Sequence, residues 1–419
     1  MKSVLAATAG RAGAAGGPPP SPPSCPLPIV APPPRDSLLD ALRRRRDRLL
    51  ADRRFQRWAA AFVLTRPIAR ARSRALFDLC AGFVYSQVLY ACVALGLLRR
   101  LLEQPQTPLS LAQALALPPE RLERLLRAAA ALDLVQARGG GRVGLGVLGA
   151  ALLGNPGVEA MIRHHGLLYA DLADPVGLVR APAPSTRLGG FWSYAGAADP
   201  AELARAQVAP YSGLMAESQQ FIAELVLAAY PFARHRRLLD VGGGTGGFAL
   251  AAATAVAHLA VDVFDLPGVA VQARDRFEAA GLGARGTVHA GNFLCDRLPR
   301  GADLVSLVRV VHDHDDDRVR ALLAAVRRVL PADGVVLIAE PMAGTAGAGP
   351  MADGYFGMYL LAMGSGRARS FGELRALLHA AGFTAVQRHR SRNPLLSSVI
   401  SARADRAGDL AGISDTANC

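Results

Sequence analysis

From about residue 205 onward, short apolar runs alternate with segments whose apolar positions recur at helical spacing. The pattern predicts strands at 237–241, 258–264, 286–290, 303–311 and 334–340. Helices are predicted at 247–257, 268–280 and 316–330, with a helical stretch near 353–363 and a helix at 370–381. Two closing strands fall near 384–389 and 396–402. Strand–helix alternation of this kind is the mark of a parallel α/β sheet, here ending in a strand pair. No internal repeat is visible.

The first half reads differently. Residues 1–36 are Ala, Gly and Pro with almost nothing to bury, and read as a disordered leader. Residues 37–74 read as a basic helix interrupted at Pro67, with Trp58, Ala61, Phe62 and Leu64 giving it an apolar side. Such a segment can lie on a bilayer surface, or pack on its own protein with its arginines snorkelling. Residues 79–98 carry no charge and are long enough to span a membrane. Ser86 and Gln87 sit in the middle, however, and arginines flank both ends, which favours a helix buried in a domain or dimer core. Residues 109–148 follow the order helix (110–115), helix (119–132), small β wing, the winged-helix pattern. The second helix presents Glu120, Arg121, Glu123, Arg124 and Arg127, a mixed face unsuited to reading a DNA groove. The organisation expected is a leader (1–36), a helical, winged-helix-like dimerisation domain (37–205), a catalytic domain (206–402) and a flexible tail (403–419).

Composition narrows the class. An apolar content of 51% over 419 residues is ample for two cores. The net charge of +13 implies attraction to something anionic, nucleic acid or an acidic membrane surface, and much of it is local, between Arg43 and Arg74. Cys25, Cys80, Cys92, Cys295 and Cys419 form no CxxC pair and read as neither a zinc site nor a disulfide framework, which fits a reduced, cytosolic setting. No secretory signal fits the first residues.

The densest chemical signal is Leu238-Leu-Asp240-Val-Gly242-Gly-Gly244-Thr-Gly246-Gly-Phe248. An apolar strand runs into an acid and then into glycines at the mouth of a helix, a turn whose bare backbone can approach a ligand. Taken alone the run is also compatible with a dinucleotide fingerprint, since Gly244-Thr-Gly246-Gly-Phe-Ala249 fits G-x-G-x-x-A and Asp265 follows about 20 residues later. An NAD-dependent dehydrogenase is therefore an alternative. Three features favour an adenosylmethionine-binding sheet: the acid Asp240 before the glycines, the place of the run behind a helical domain, and the terminal strand pair.

Asp240-Val-Gly-Gly-Gly-Thr-Gly246, Phe264-Asp-Leu-Pro267, Val311-His-Asp313 and Ala339-Glu-Pro341 occur in register over roughly 75–402. In these motifs the chain resembles the small-molecule O-methyltransferases typified by plant caffeate enzymes. In 81–87 and 355–367, and in its basic segment 43–74, it looks like the hydroxyneurosporene (demethylspheroidene) O-methyltransferases of carotenoid synthesis. The resemblance implies a class I methyltransferase (Rossmann-like) sheet, S-adenosyl-L-methionine as cofactor and a homodimer. It implies that Gly242, Gly244 and Gly246 admit the cofactor, with Asp240 and Leu266 at the same site, and that Asp265 takes both ribose hydroxyls. Asn292-Phe293 stands where the family has Asp and an apolar residue beside adenine, and Met215 matches a methionine near the reacting methyl group.

His312 follows the strand 303–311 at its carboxyl end, where open α/β sheets place their chemistry. Methyl transfer needs an aligned acceptor oxygen and removal of its proton, work suited to a neutral imidazole. By resemblance His312 is the general base and Glu340 one of the carboxylates that orient it. The second carboxylate falls on Ala368, with Asp313 as the substitute. The string His312-Asp-His-Asp-Asp-Asp317 looks metal-binding, but adjacent residues point in different directions and no distant ligand set accompanies it, so no metal is expected. An inert, structural His312 is the remaining alternative.

The acceptor implied is the tertiary 1-hydroxyl of an acyclic carotenoid, with a phenolic small molecule as the alternative. Phe356, Met358, Tyr359, Leu361 and Met363 are the candidate lining for such a hydrophobic acceptor. A bilayer-borne substrate would give the segment 37–74 a docking role, placing the enzyme in the cytoplasm or peripherally on the inner (photosynthetic) membrane. A winged-helix regulator is a further alternative, although no nucleic-acid partner is expected.

Overall fold

The structure, a computed structural model, describes residues 37–181, 185–192, 205–394 and 396–405. The leader 1–36 and residues 406–419 of the tail lie outside the described residues. The chain parts into two compact units, one ending at Ala81 and the other running from Gly82.

The first unit is helical. Leu38–Ala51 starts at Ser37, whose hydroxyl accepts from the Asp40 N–H, and Arg53–Ala61 starts at Asp52, whose carboxylate accepts from the Phe55 N–H. The expected interruption at Pro67 is corrected. Pro67 is the second residue of the helix Arg66–Ala94, a position whose N–H has no intrahelical partner to lose. The breaks fall instead at Asp52 and over 62–65, where the Thr65 hydroxyl donates to the Ala59 carbonyl. Of the uncharged stretch 79–98, expected in a domain or dimer core, Cys92, Val93, Leu97 and Leu98 are buried within one chain and most of the rest is half-buried.

In the second unit, helices Leu97–Glu103, Pro108–Ala114 and Pro119–Ala131 pack on the antiparallel pair β1 (Val135–Arg138) and β2 (Arg142–Leu145). Leu97, Leu98, Leu111, Leu122, Leu126 and Val135 form the core of this wing. Helix Pro156–Asp171 follows, and buried Glu159 within it holds both Arg99 and Arg163.

Seven strands form the main sheet: β3 (Arg237–Val241), β4 (Ala260–Asp265), β5 (Gly286–Ala290), β6 (Leu304–Val308), β7 (Val335–Glu340), β8 (Phe383–His389) and β9 (Ser398–Ala404). Their order is β5-β4-β3-β6-β7-β9-β8, parallel except that β9 runs antiparallel to both of its neighbours. Because side chains alternate along a strand, Leu239, Val305 and Val336 face one core with the helices Asp316–Val329 and Phe371–Ala380. Leu238, Leu304 and Leu337 face the other, with Arg205–Ala229, Gly247–Ala255 and Pro267–Ala279. Burial on both faces explains the continuous apolar runs in the sequence.

Two predicted elements change at the edge of the site. The strand expected at 303–311 ends at Val308; Arg309 then takes φ +60°, and Val311–Asp313 forms a 3-10 turn. The helical stretch near 353–363 begins as a π-helix, Pro350–Tyr355, before the α-helix Phe356–Met363. Both irregularities flank His312.

Candidate active site

A cavity that opens to solvent lies at the carboxyl ends of β3, β4 and β6. Of the residues singled out in the sequence, Gly242, Gly244, Asp265, Leu266, Asn292, Phe293, Met215 and Asp313 line it. Asp240, Gly246, His312 and Glu340 do not; they stand behind that lining.

The glycine turn explains part of this split. Gly244, at φ +59°, opens on the cavity, and a Cβ there would meet nothing within 4 Å. Gly246 serves another purpose. It is the left-handed N-cap of the helix Gly247–Ala255, and a Cβ on it would stand 2.7 Å from the Phe277 ring. Its glycine is required by turn and packing rather than by ligand approach.

Asp265 Oδ2 accepts from the Gly244 N–H at 2.7 Å and Oδ1 from the Leu266 N–H at 2.7 Å. A carboxylate has about four lone-pair directions, so each oxygen keeps one for a ligand hydroxyl. Burial pushes the Asp265 carboxyl up to about 6, against the two backbone bonds that favour its charge. Asp240 is more deeply enclosed. Ser306 Oγ donates to its Oδ1 at 2.6 Å, while its Oδ2 is buried with no hydrogen-bond partner among the described residues. Burial, with the nearby Asp265 charge, pushes Asp240 up to about 7 despite the Ser306 bond. A two-oxygen acceptor facing the cavity, an open glycine and an orphaned carboxylate oxygen behind the turn fit a ligand that carries a ribose diol and a positive group. Asn292 Oδ1 accepts from the Leu294 N–H at 3.0 Å, so this oxygen shapes its own turn while it lines the cavity.

His312 is buried and held on both ring nitrogens. Nδ1 is bonded to Glu340 Oε2, while Glu340 Oε1 accepts from the N–H groups of Val310 (3.0 Å) and Val311 (2.7 Å). Nε2 lies 3.2 Å from Asp313 Oδ1, and Asp313, unlike His312, is itself part of the cavity lining. Burial alone would pull the His312 imidazole down. The Glu340 and Asp313 charges and the Glu340 hydrogen bond outweigh it, and the net shift is upward. An imidazole so placed can take a proton at Nε2 and share the resulting charge with two carboxylates. Among the described residues no group of three His, Cys, Asp or Glu side chains is placed to hold a metal ion.

Two lining residues escape sequence reasoning. Arg309 reaches across the cavity, its Nη2 at 2.9 Å from Met215 Sδ, and a non-glycine residue at positive φ leaves no sequence signal. Trp192 lines the cavity and donates from Nε1 to the Tyr359 hydroxyl at 2.8 Å; it is far from every motif along the chain. The candidate acceptor lining is partly corrected. Phe356 packs edge-on to the His312 ring at 5.9 Å, but Tyr359 and Met363 are buried in a core cluster and none of the five lines the cavity. The hydroxyl of Tyr359 is bonded to His164 and Trp192, and this bonding turns the side chain inward.

Comparison with known proteins identifies the family. An O-methyltransferase domain profile matches residues 169–384, and an O-methyltransferase dimerisation domain profile matches 77–154. The demethylspheroidene O-methyltransferase of Cereibacter sphaeroides is 44% identical over 377 residues, covering 89% of this chain and 97% of that protein. The protein of the same name from Rhodobacter capsulatus is 42% identical, covering 80% and 83%. Among solved structures, the S-adenosylmethionine-dependent methyltransferase SibL superimposes with a TM-score of 0.66 at 26% identity, covering 79% of this chain and 99% of that one.

Proposed function

This chain belongs to the O-methyltransferase family, and from that premise we propose that it methylates the tertiary 1-hydroxyl of an acyclic carotenoid. It is an S-adenosylmethionine-dependent enzyme with a dimerisation domain, and it forms a homodimer. The observation that carries the choice of acceptor is the 44% identity across nearly the whole length of a demethylspheroidene O-methyltransferase.

Asp265 and the Gly244 turn would hold the ribose side of the cofactor, with Leu266, Asn292 and Phe293 walling the base and Met215 near the methyl end. The cofactor supplies an activated methyl group on a sulfonium. The work of the chain's own residues is then to align the acceptor oxygen and remove its proton. A tertiary alcohol is far less acidic than a phenol of pKa about 10, so no free alkoxide precedes the transfer and proton removal accompanies it. His312 Nε2 takes that proton. The imidazolium formed is stabilised by Glu340 at Nδ1 and by Asp313 at Nε2. The test is a methyl-transfer assay with 1-hydroxy acyclic carotenoids beside a panel of phenols. The carotenoids should give the higher kcat/KM, and turnover confined to phenols would refute the acceptor.

An apolar acceptor of this kind dissolves in a bilayer, and the first unit carries features suited to reaching one. Phe55, Trp58 and Phe62 form a ring cluster with centroids 5.7 and 5.2 Å apart, and Trp58 is half exposed. Arg53, Arg54 and Arg57 share the same short helix. Aromatic residues at the interface beside arginines over anionic headgroups describe an amphipathic surface helix, each cation contributing about 1 kcal/mol. The reading places the enzyme at the cytoplasmic face of the inner membrane. In a vesicle flotation assay the protein should float with anionic vesicles at low salt and be released as salt rises. The Trp58→Ala, Phe62→Ala double variant should float less; equal recovery on neutral vesicles would contradict the role given to the arginines.

A further inference from the structure

The segment between the helices Phe356–Met363 and Phe371–Ala380 wraps the turn that carries His312. Arg369, 2% exposed, is its centre. The guanidinium donates from Nη1 to the Val311 carbonyl at 2.8 Å and from Nη2 to the His314 carbonyl at 2.7 Å. Nε and Nη2 also donate to Asp316 Oδ1 at 2.9 and 2.7 Å. The two carbonyls flank His312-Asp313, so one planar group ties both ends of the 3-10 turn to the start of the helix Asp316–Val329. Nearby, Ser365 Oγ donates to the Asp313 carbonyl at 2.8 Å and the Gly366 N–H to Asp315 Oδ1 at 3.0 Å. Gly366 lies at φ +80° so close to the turn that a Cβ would stand 2.1 Å from the His312 carbonyl oxygen.

A buried cation is costly unless its donors are filled in good geometry. Here the fork is filled by one carboxylate and three neutral carbonyls, those of Val311, His314 and, at 3.4 Å, Arg367, and the bonds from Arg367 and Arg369 hold the Asp316 carboxyl below its usual range. The helix after the segment does not depend on this arrangement. It has its own capping box at Ser370 and Glu373, and its Leu374 and Leu378 sit in the core. The bonds of Arg369 therefore fall on the His312 turn and the first residue of the helix that follows it, not on the helix Phe371–Ala380. The residue before it, Ala368, stands where a second carboxylate would be sought.

We propose that Arg369 is a positioning residue for the base: it fixes the backbone of the 311–314 turn, so that His312 keeps Nδ1 on Glu340 and Nε2 toward the cavity. This rests on the reading of His312 as base. The same restraint holds Asp313, the carboxylate on Nε2 that stands in for the one absent at Ala368. Lysine preserves the charge but cannot span two carbonyls and a carboxylate with one planar fork.

Arg369→Lys, made in the full-length chain, is the test. Misplacing a base by about 1 Å costs on the order of 10²-fold, so kcat should fall by roughly that factor. KM for the acceptor and Kd for adenosylhomocysteine should stay within a factor of about two, as they do when only a transition-state interaction is lost. The charged and titratable groups around the imidazole are Glu340, Asp313, His314 and Arg309. With the grip of Glu340 loosened, the acid limb of the kcat profile should move to lower pH. A wild-type kcat and profile would overturn the proposal, as would a kcat loss matched by an equal loss of adenosylhomocysteine affinity with the limb unmoved. Should Arg369→Lys fail to fold, Asp316→Asn decides. It spares both carbonyl bonds, and a smaller kcat loss with the same limb shift supports the proposal, whereas an unchanged profile overturns it. His312→Ala is assayed alongside: retained turnover there refutes the base itself, whereas lost turnover there with normal turnover in Arg369→Lys refutes only the positioning role.

Discussion

His312→Ala is expected to lower kcat by about 10²- to 10⁴-fold, the range over which a general base contributes. The substituted chain should still fold, because Glu340 Oε1 keeps its bonds from the Val310 and Val311 N–H groups. Adenosylhomocysteine should bind as before, since His312 stands behind the cavity lining rather than in it. The pH profile of the intact enzyme carries the same information. Only the neutral imidazole can take a proton, and its pKa is raised, so kcat should fall with falling pH through a limb set above the ordinary value for histidine. Glu340→Gln removes the strongest raising influence and should shift that limb downward while slowing turnover. Stopped assays across pH, with calorimetry for the product cofactor, check each part. Normal turnover in His312→Ala would leave His312 an inert structural residue.

Asp265→Ala should produce the second large effect, on affinity rather than rate. Two hydrogen bonds from ligand hydroxyls to a charged acceptor contribute about 1.5 kcal/mol each at the low end. Losing both corresponds to a rise in Kd of about 10²-fold. The pKa of this carboxyl gives the effect a pH dependence. Its pKa is raised from 3.8 to about 6, so affinity for adenosylhomocysteine should weaken as pH falls through about 6, where the ligand-free acceptor becomes protonated. Stability runs the other way. A raised carboxyl pKa contributes stability that is full below about 3.8 and lost as pH rises through about 6, so the ligand-free protein should lose this increment over that window. Calorimetry at several pH values checks the first part, and ligand-free melting temperatures check the second. An Asp265→Ala affinity equal to wild type would remove the ribose assignment.

The sheet was legible because its strands are apolar on both faces, as at Leu238-Leu239 and Leu304-Val305, and because acid and glycines mark a turn that opens on the cavity. Asp265, Leu266, Asn292 and Phe293 were legible through motifs that resemble those of the O-methyltransferases, and all four line the cavity. What escaped has common physical causes. Periodicity sees side-chain polarity and not φ, so the strand predicted through residue 311 missed the positive-φ break at Arg309 that redirects the chain into the His312 turn. A proline in a first helical turn breaks nothing, so Pro67 misled where Asp52 and Thr65 did not advertise themselves. Tyr359 read as pocket lining because an apolar helix faces a core or a ligand with the same pattern; its hydroxyl partners His164 and Trp192 lie far along the chain. Arg369 was invisible for the same reason, since its work is done on carbonyls more than fifty residues away.

The most direct test of the central claim is a single turnover with S-adenosylmethionine carrying a trideuterated methyl group, a 1-hydroxy acyclic carotenoid in anionic vesicles, and mass analysis of both products. The expected product is a carotenoid in which one intact trideuteromethyl group has replaced the hydroxyl proton, formed in equal amount with adenosylhomocysteine, and formed at least about 10²-fold more slowly when His312→Ala is used. Adenosylhomocysteine formed without an ether, label on carbon, or transfer only to a phenol would contradict it.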